Sequence, residues 1–152
     1  MDKSNISDWL IYKNNQLIAF NKPAGMPVQA DQTADKSLLS LAGIYSKSKL
    51  HLLHRIDRPA SGVVLLAKTK RAIQSLSQQF QMRTIQKTYL AVVQQAPPQT
   101  SDTLIHYLKK DSKNKKSRLV QASDQGAKKA VLQYQLLQSS DHYHLLQIEL
   151  QT

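Results

Sequence analysis

No cysteine occurs among the 152 residues, which excludes disulfides, thiolate nucleophiles and cysteine-ligated zinc. Acidic residues are scarce: 10 Asp and Glu stand against 21 Lys and Arg, a formal charge of +11. No apolar run approaches the ~20 residues that a membrane-spanning helix needs. The opening MDKSNISDW has neither the basic start nor the apolar stretch of a secretory signal. These absences predict a soluble, cytoplasmic chain with no membrane partner. A chain of this length is expected to form one domain with a modest core, with residues 1–8 as a tail and 9–152 as the domain. The positive surplus favours a polyanion, because basic side chains bind phosphates by releasing counterions without reading sequence. A nucleic-acid partner therefore ranks above a merely basic surface and above an anionic membrane.

Short apolar runs alternate with turn residues along the chain. Trp9–Tyr12 and Leu17–Phe20 read as a hairpin through Lys13-Asn14-Asn15, since Asn tolerates positive φ. In NKPAGMPVQAD, Pro23, Gly25 and Pro27 forbid a regular element and imply a shaped loop. Asp35 or Ser37 then caps a short helix with Leu38, Leu39, Leu41 and Ile44 on one side. Strands are expected over His51–Ile56 and Val63–Ala67, and a helix capped by Thr69 follows, with Ala72, Ile73, Leu76 and Phe80 at helical spacing. Thr88–Val93, Thr103–Leu108, Val131–Leu137 and Tyr143–Leu150 complete the strands, and the polar run over 109–118 reads as an exposed loop. The irregular mixture predicts an α+β fold, a mixed, mainly antiparallel sheet with flanking helices. The chain stops on an apolar strand, which predicts an open sheet edge and a truncated chain.

One stretch concentrates the chemistry. In HRIDRPASGVVLLAK, residues 54–68, Asp57 stands between Arg55 and Arg58 and is followed by the small-residue turn Pro59-Ala60-Ser61-Gly62 and an apolar strand. A carboxylate so placed is a general base, a covalent nucleophile, a metal ligand or simply a turn residue, and Asp before a Pro turn is most often the last. Three features favour chemistry: two arginines that need an anion, a glycine that permits close approach, and a total charge that predicts an anionic ligand. Metal chemistry is disfavoured because no second acid lies nearby. His51 with His54, and His142 with His144, offer two ligands each without a third in any obvious motif; they read as strand residues.

The same stretch resembles the signature H-R-L-D-x-x-T-S-G of the uridine-to-pseudouridine isomerases of the large-subunit-rRNA and tRNA class. Here it stands as His54-Arg55-Ile56-Asp57-Arg58-Pro59-Ala60-Ser61-Gly62. Asn21-Lys22-Pro23-Ala24-Gly25-Met26-Pro27-Val28 is similar to the family's early K-P-x-G loop, and Lys87-Thr88-Tyr89 to its K-x-Y element. The resemblance runs from about Trp9 to the end. It implies the catalytic fold of that family and an isomerisation of uridine in rRNA or tRNA that uses no cofactor and no metal. It implies Asp57 as the essential carboxylate, acting as nucleophile or as the base that removes a sugar proton. Tyr89 would lie against the flipped uracil and Arg55 would contact RNA beside the extruded base. An ordinary strand tyrosine and a structural ion pair are their plainer readings. Lys22 and the basic run Lys109, Lys110, Lys113, Lys115, Lys116 and Arg118 are candidate contacts to the RNA backbone, although such a run is commonly just a solvated face.

Two departures stand out. Ala60 replaces the usual Thr, removing a hydroxyl from the turn. The family strand that ends L-x-T continues G-R-x-H-Q-I-R, whereas this sequence ends Leu150-Gln151-Thr152. The Arg of that segment pairs with the catalytic Asp in the family, so the resemblance implies an active site lacking one wall, and reduced activity. The alternative is an RNA-binding module that keeps the fold and charge without catalysis.

Overall fold

The computed structural model describes residues 5–111 and 116–152. Lys113 and Lys115 lie outside these described residues. The chain forms two compact units, Met1–Met82 and Arg83–Thr152. Each unit has its own antiparallel sheet, so the α+β class is realised as two sheets instead of one mixed sheet.

In the first unit, a 3-10 turn over Ile6–Trp9 leads into β1 (Leu10–Lys13) and β2 (Leu17–Lys22). Asn5 caps the turn, and Ile6 and Trp9 pack against the core, so the described end of the expected tail is part of the fold. The helix α1 (Leu38–Ser46), β3 (His51–Leu52), β4 (Gly62–Ala67) and the helix α2 (Lys70–Gln81) follow. The sheet order is β1-β2-β4-β3. Ile18, Phe20, Val64 and Leu66 from the two central strands meet Val28, Leu38, Ala42 and Leu50 in the core. Of the two proposed caps, Ser37 is the one used: its hydroxyl accepts the Ser40 N–H at 3.2 Å. The α1 face differs from expectation, because Leu38 and Ala42 are buried one turn apart while Ile44 is 76% exposed. Thr69 caps α2 as predicted, its hydroxyl accepting the Ala72 N–H at 3.2 Å.

The predicted strand His51–Ile56 ends at Leu52. From residue 53 to 61 the chain runs outside the sheet and returns as β4 at Gly62, whose φ of +135° suits glycine. A Cβ there would meet nothing within 4 Å, so its backbone conformation, not a close approach by described residues, asks for glycine.

In the second unit, β5 (Lys87–Val93), β6 (Ser101–Asp111), β7 (Lys116–Val120), β8 (Lys128–Ser139) and β9 (His144–Leu150) form a sheet of order β5-β9-β8-β6-β7. The last strand is therefore interior, paired with β5 on one side and β8 on the other, which corrects the expectation of an open edge there. Among the described residues, the edges of this sheet are β5 and β7. The expected loop over 109–118 is also corrected. Lys109 pairs with Arg118, Lys110 with Ser117 and Asp111 with Lys116 as the ends of a two-stranded ribbon. A polar stretch needs no core to pair its backbone, so polarity alone misread it.

Candidate active site

Asp57 is exposed on the segment between β3 and β4. Its neighbour Ile56 packs against the core, which turns Arg55 and Asp57 on either side of it outward. The Ala60 N–H donates to the Asp57 carbonyl at 3.1 Å and closes the turn. Asp57, Arg55, Ile56 and Arg58 share an open concavity of about 160 Å³ with Pro27–Asp31, the end of the proline-rich loop. Two of the motifs picked out in the sequence thus form one place: the loop after β2 and the Asp57 turn. Among the described residues, no cation pairs with the Asp57 carboxylate, so the proposed structural pairing with Arg55 is not formed.

The turn is held from beneath by Lys22. Its side chain is 0% exposed, and its ammonium donates to the carbonyls of Pro23 at 2.9 Å, Met26 at 2.8 Å and Arg58 at 3.2 Å. All of its N–H donors are thereby used. Burial, and next the charge of Arg58, pull its pKa below the ordinary lysine value, while the carbonyls hold the ammonium in place. Lys22 as a contact to RNA phosphate is therefore corrected: it is a buried tie between the loop and the turn. A sequence signal for this existed in the period of β2, where Ile18, Phe20 and Lys22 share the core face.

Arg58 makes the second tie. Its carbonyl accepts the Gly25 N–H at 2.8 Å, where Gly25 has φ +84°. Its guanidinium donates to Thr33 Oγ1 at 2.8 Å, to Asp31 at 3.4 Å and to Asp35. The Thr33 hydroxyl first, and then the Thr33 amide, hold Asp31 below the ordinary carboxylate pKa, while the Arg58 hydrogen bond is the main cause of the lowering at Asp35. The Asp35 hydrogen bond in turn raises Arg58. Of the two arginines that needed an anion, Arg58 has found it within the protein, and Arg55 remains exposed. Sequence reasoning missed Arg58, because its carboxylate partners lie more than twenty residues away along the chain.

His54 supplies a third tie, accepting the Leu65 N–H on Nε2 at 3.0 Å and stacking on Phe80 with ring centroids 5.0 Å apart.

The remaining predicted residues belong to the second unit. Tyr89 is half-buried on β5, opposite Ile148, which in turn pairs with Tyr134, so it lies on the apolar face of that sheet. Lys109, Lys110, Lys116 and Arg118 stand exposed on the β6–β7 ribbon, and Arg118 Nε lies 3.5 Å from Asp111. A larger concavity of about 510 Å³ lies on this sheet, lined by Ser101, Thr103, Gln133, Gln135, Gln147 and Glu149 among others, and holds none of the predicted site residues. No helix among the described residues is long and apolar enough to cross a membrane.

Comparison with known proteins gives a consistent result. A family model described as RNA pseudouridylate synthase matches residues 16–152. A ribosomal large subunit pseudouridine synthase C from Rickettsia felis is 31% identical over 138 residues, which cover 90% of this chain and 45% of that protein. The solved structure of human RNA Pseudouridylate Synthase Domain Containing 4 aligns with a TM-score of 0.79 at 25% identity, over 97% of this chain and 60% of that one. Human RNA Pseudouridylate Synthase Domain Containing 1 shares the fold with a TM-score of 0.80 at 18% identity, over 100% of this chain and 63% of that one. The chain spans about half the length of the curated relatives it matches.

Proposed function

Because this chain belongs to the RNA pseudouridylate synthase family, we propose that it converts uridine in rRNA or tRNA to pseudouridine, with Asp57 as the essential carboxylate and no cofactor. The observation that carries this reading is the exposed Asp57 carboxylate on a turn tied to the protein through both the Lys22 ammonium and the Arg58 guanidinium. A group that must meet a reacting sugar needs such placement, since misplacement by an ångström costs about a hundredfold in rate.

The reaction is balanced without an external reagent. The bond from C1′ to N1 of uracil breaks, the base turns, and a bond from C1′ to C5 forms; C5 loses a proton and N1 ends with one. Asp57 acts either by attacking C1′ or by removing a sugar proton. The substrate uridine has to leave its stack, and Arg55, exposed beside Asp57, has a planar fork suited to RNA at that opening. The backbone of the RNA is held by the exposed Lys109, Lys110, Lys116 and Arg118 of the β6–β7 ribbon.

Release of tritium from C5 of uridine in labelled rRNA and tRNA transcripts tests the reading. The chain should release it, and Asp57→Asn should reduce the rate at least about a thousandfold while RNA binding changes less than about threefold. Binding without release, in the chain and the variant alike, would favour the second reading, an RNA-binding module without chemistry.

A further inference from the structure

We propose that His54 is a positioning residue for Asp57, its imidazole replacing the strand that β4 lacks and releasing the main chain to carry the carboxylate out of the sheet. The inference rests on the reading of Asp57 as catalytic. It starts from the ladder. In an antiparallel strand, successive N–H groups point to opposite sides. The Lys68 N–H donates to Gln16 at the β2 side, so the N–H of Leu65, an odd number of residues away, points to the β3 side. There β3 pairs only His51 with Ala67 and Leu52 with Leu66. Continued pairing would set Leu53 opposite Leu65 and keep the chain flat in the sheet, with Asp57 still further along the same strand. Instead the chain leaves after Leu52, and His54 Nε2 accepts the Leu65 N–H at 3.0 Å.

That substitution solves two problems. A β4 amide that is not taken by β3 would otherwise be left without a backbone acceptor, which is costly where water is excluded. The chain must also be anchored after it leaves the sheet, or the turn would wander. Phe80 of α2 holds the ring by stacking at 5.0 Å with an angle of 28° between planes. The anchor lies three residues before Asp57, and the Lys22 and Arg58 ties lie one residue after it. Asp57 is thus suspended between fixed points on both sides. Accepting through Nε2 puts the proton of the neutral ring on Nδ1, so the tautomer is defined by this contact.

Three variants of the full chain separate these roles. His54→Gln keeps an acceptor near the Nε2 position. His54→Phe keeps a ring for Phe80 but has no acceptor. Asp57→Asn marks the floor of activity. With isotopically labelled nitrogen, the wild type should show a coupling through the hydrogen bond between the Leu65 amide and His54 Nε2, together with slow exchange of that amide proton. His54→Phe should lose the protection and shift the amide resonances of Arg55 to Ala60, leaving Phe20 and Leu66 in place. It should also lower kcat for tritium release about 10- to 100-fold with KM for RNA within about twofold. His54→Gln should restore both the resonances and kcat to within about fivefold. Unmoved resonances at Arg55 to Ala60 in His54→Phe overturn the proposal, and so does a loss in which the core resonances move with the turn and His54→Gln rescues nothing. A wild-type chain that releases no tritium counts against the catalytic reading of Asp57, and the resonances then decide the anchoring by themselves.

Discussion

Around Asp57 the side chains alternate between solvent and core: Arg55 and Asp57 are exposed because Ile56 packs inward between them. Beneath the turn, a lysine acts as a structural cross-link. Lys22 shares the core face of Ile18 and Phe20, but its stem ends where three carbonyls converge. Replacing it by methionine keeps an apolar stem of similar length and leaves the Pro23 and Met26 carbonyls without this donor, while the Arg58 carbonyl keeps the Gly25 N–H. Lys22→Met should therefore cost about 2–4 kcal/mol in urea unfolding, since each buried group stripped of its partner costs about 1–3 kcal/mol. A change under about 0.5 kcal/mol would mean that water reaches these carbonyls and that the tie is dispensable. The period of β2 carries Lys22 onto the face of Ile18 and Phe20, but the strand read from the sequence stopped at Phe20. Its partners were not legible, because one of them, the Arg58 carbonyl, is 36 residues distant in sequence.

At the scale of elements, the decisive feature is a chain that refuses to continue as strand. The segment from His51 to Ile56 was expected to be strand throughout, yet pairing stops at Leu52. Composition records which residues suit a sheet; it does not record which side of β4 is still open. The loop over 23–37 shows the converse, for its prolines and Gly25 announced an irregular shape, and that shape is held by Arg58 from the other motif. Because Asp31 and Asp35 have folded pKa values below the ordinary 3.8, their contribution to stability is present above that value and is lost as pH falls through the lowered ones. The difference in thermal midpoint between the wild type and Asp35→Asn should be constant above about pH 5 and shrink steadily in more acid solution. A difference that persists unchanged to about pH 2 would show that the tie owes nothing to the carboxylate charge. The β6–β7 ribbon was misread for a related reason. Its polarity excludes a core, and polarity was taken for an exposed loop, whereas backbone pairing between Lys109 and Arg118 or Lys110 and Ser117 needs no buried side chains.

For the whole molecule, the formal charge of +11 makes the proposed binding of RNA a salt-dependent one. Replacing Lys109, Lys110 and Lys116 by glutamine removes three exposed cations from the ribbon. If each meets a phosphate, the slope of log affinity against log salt should fall in magnitude by about 2, taking about 0.7 per contact for single-stranded RNA. An unchanged slope would move the RNA backbone off this ribbon. The sequence by itself determined the antiparallel α+β character, the Thr69 cap, the narrowing of the other cap to Asp35 or Ser37, and the motif that carries Asp57. Those properties depend on composition, periodicity and short spacing, which act between near neighbours in the chain. Only the tertiary structure decided that β9 is an interior strand, that Lys22 ends among three carbonyls, that Arg58 is spent on Asp31 and Asp35, and that His54 completes the β4 ladder. Each of those outcomes is a choice among several chemically adequate partners. It is made by which backbone groups remain open once the sheets have paired.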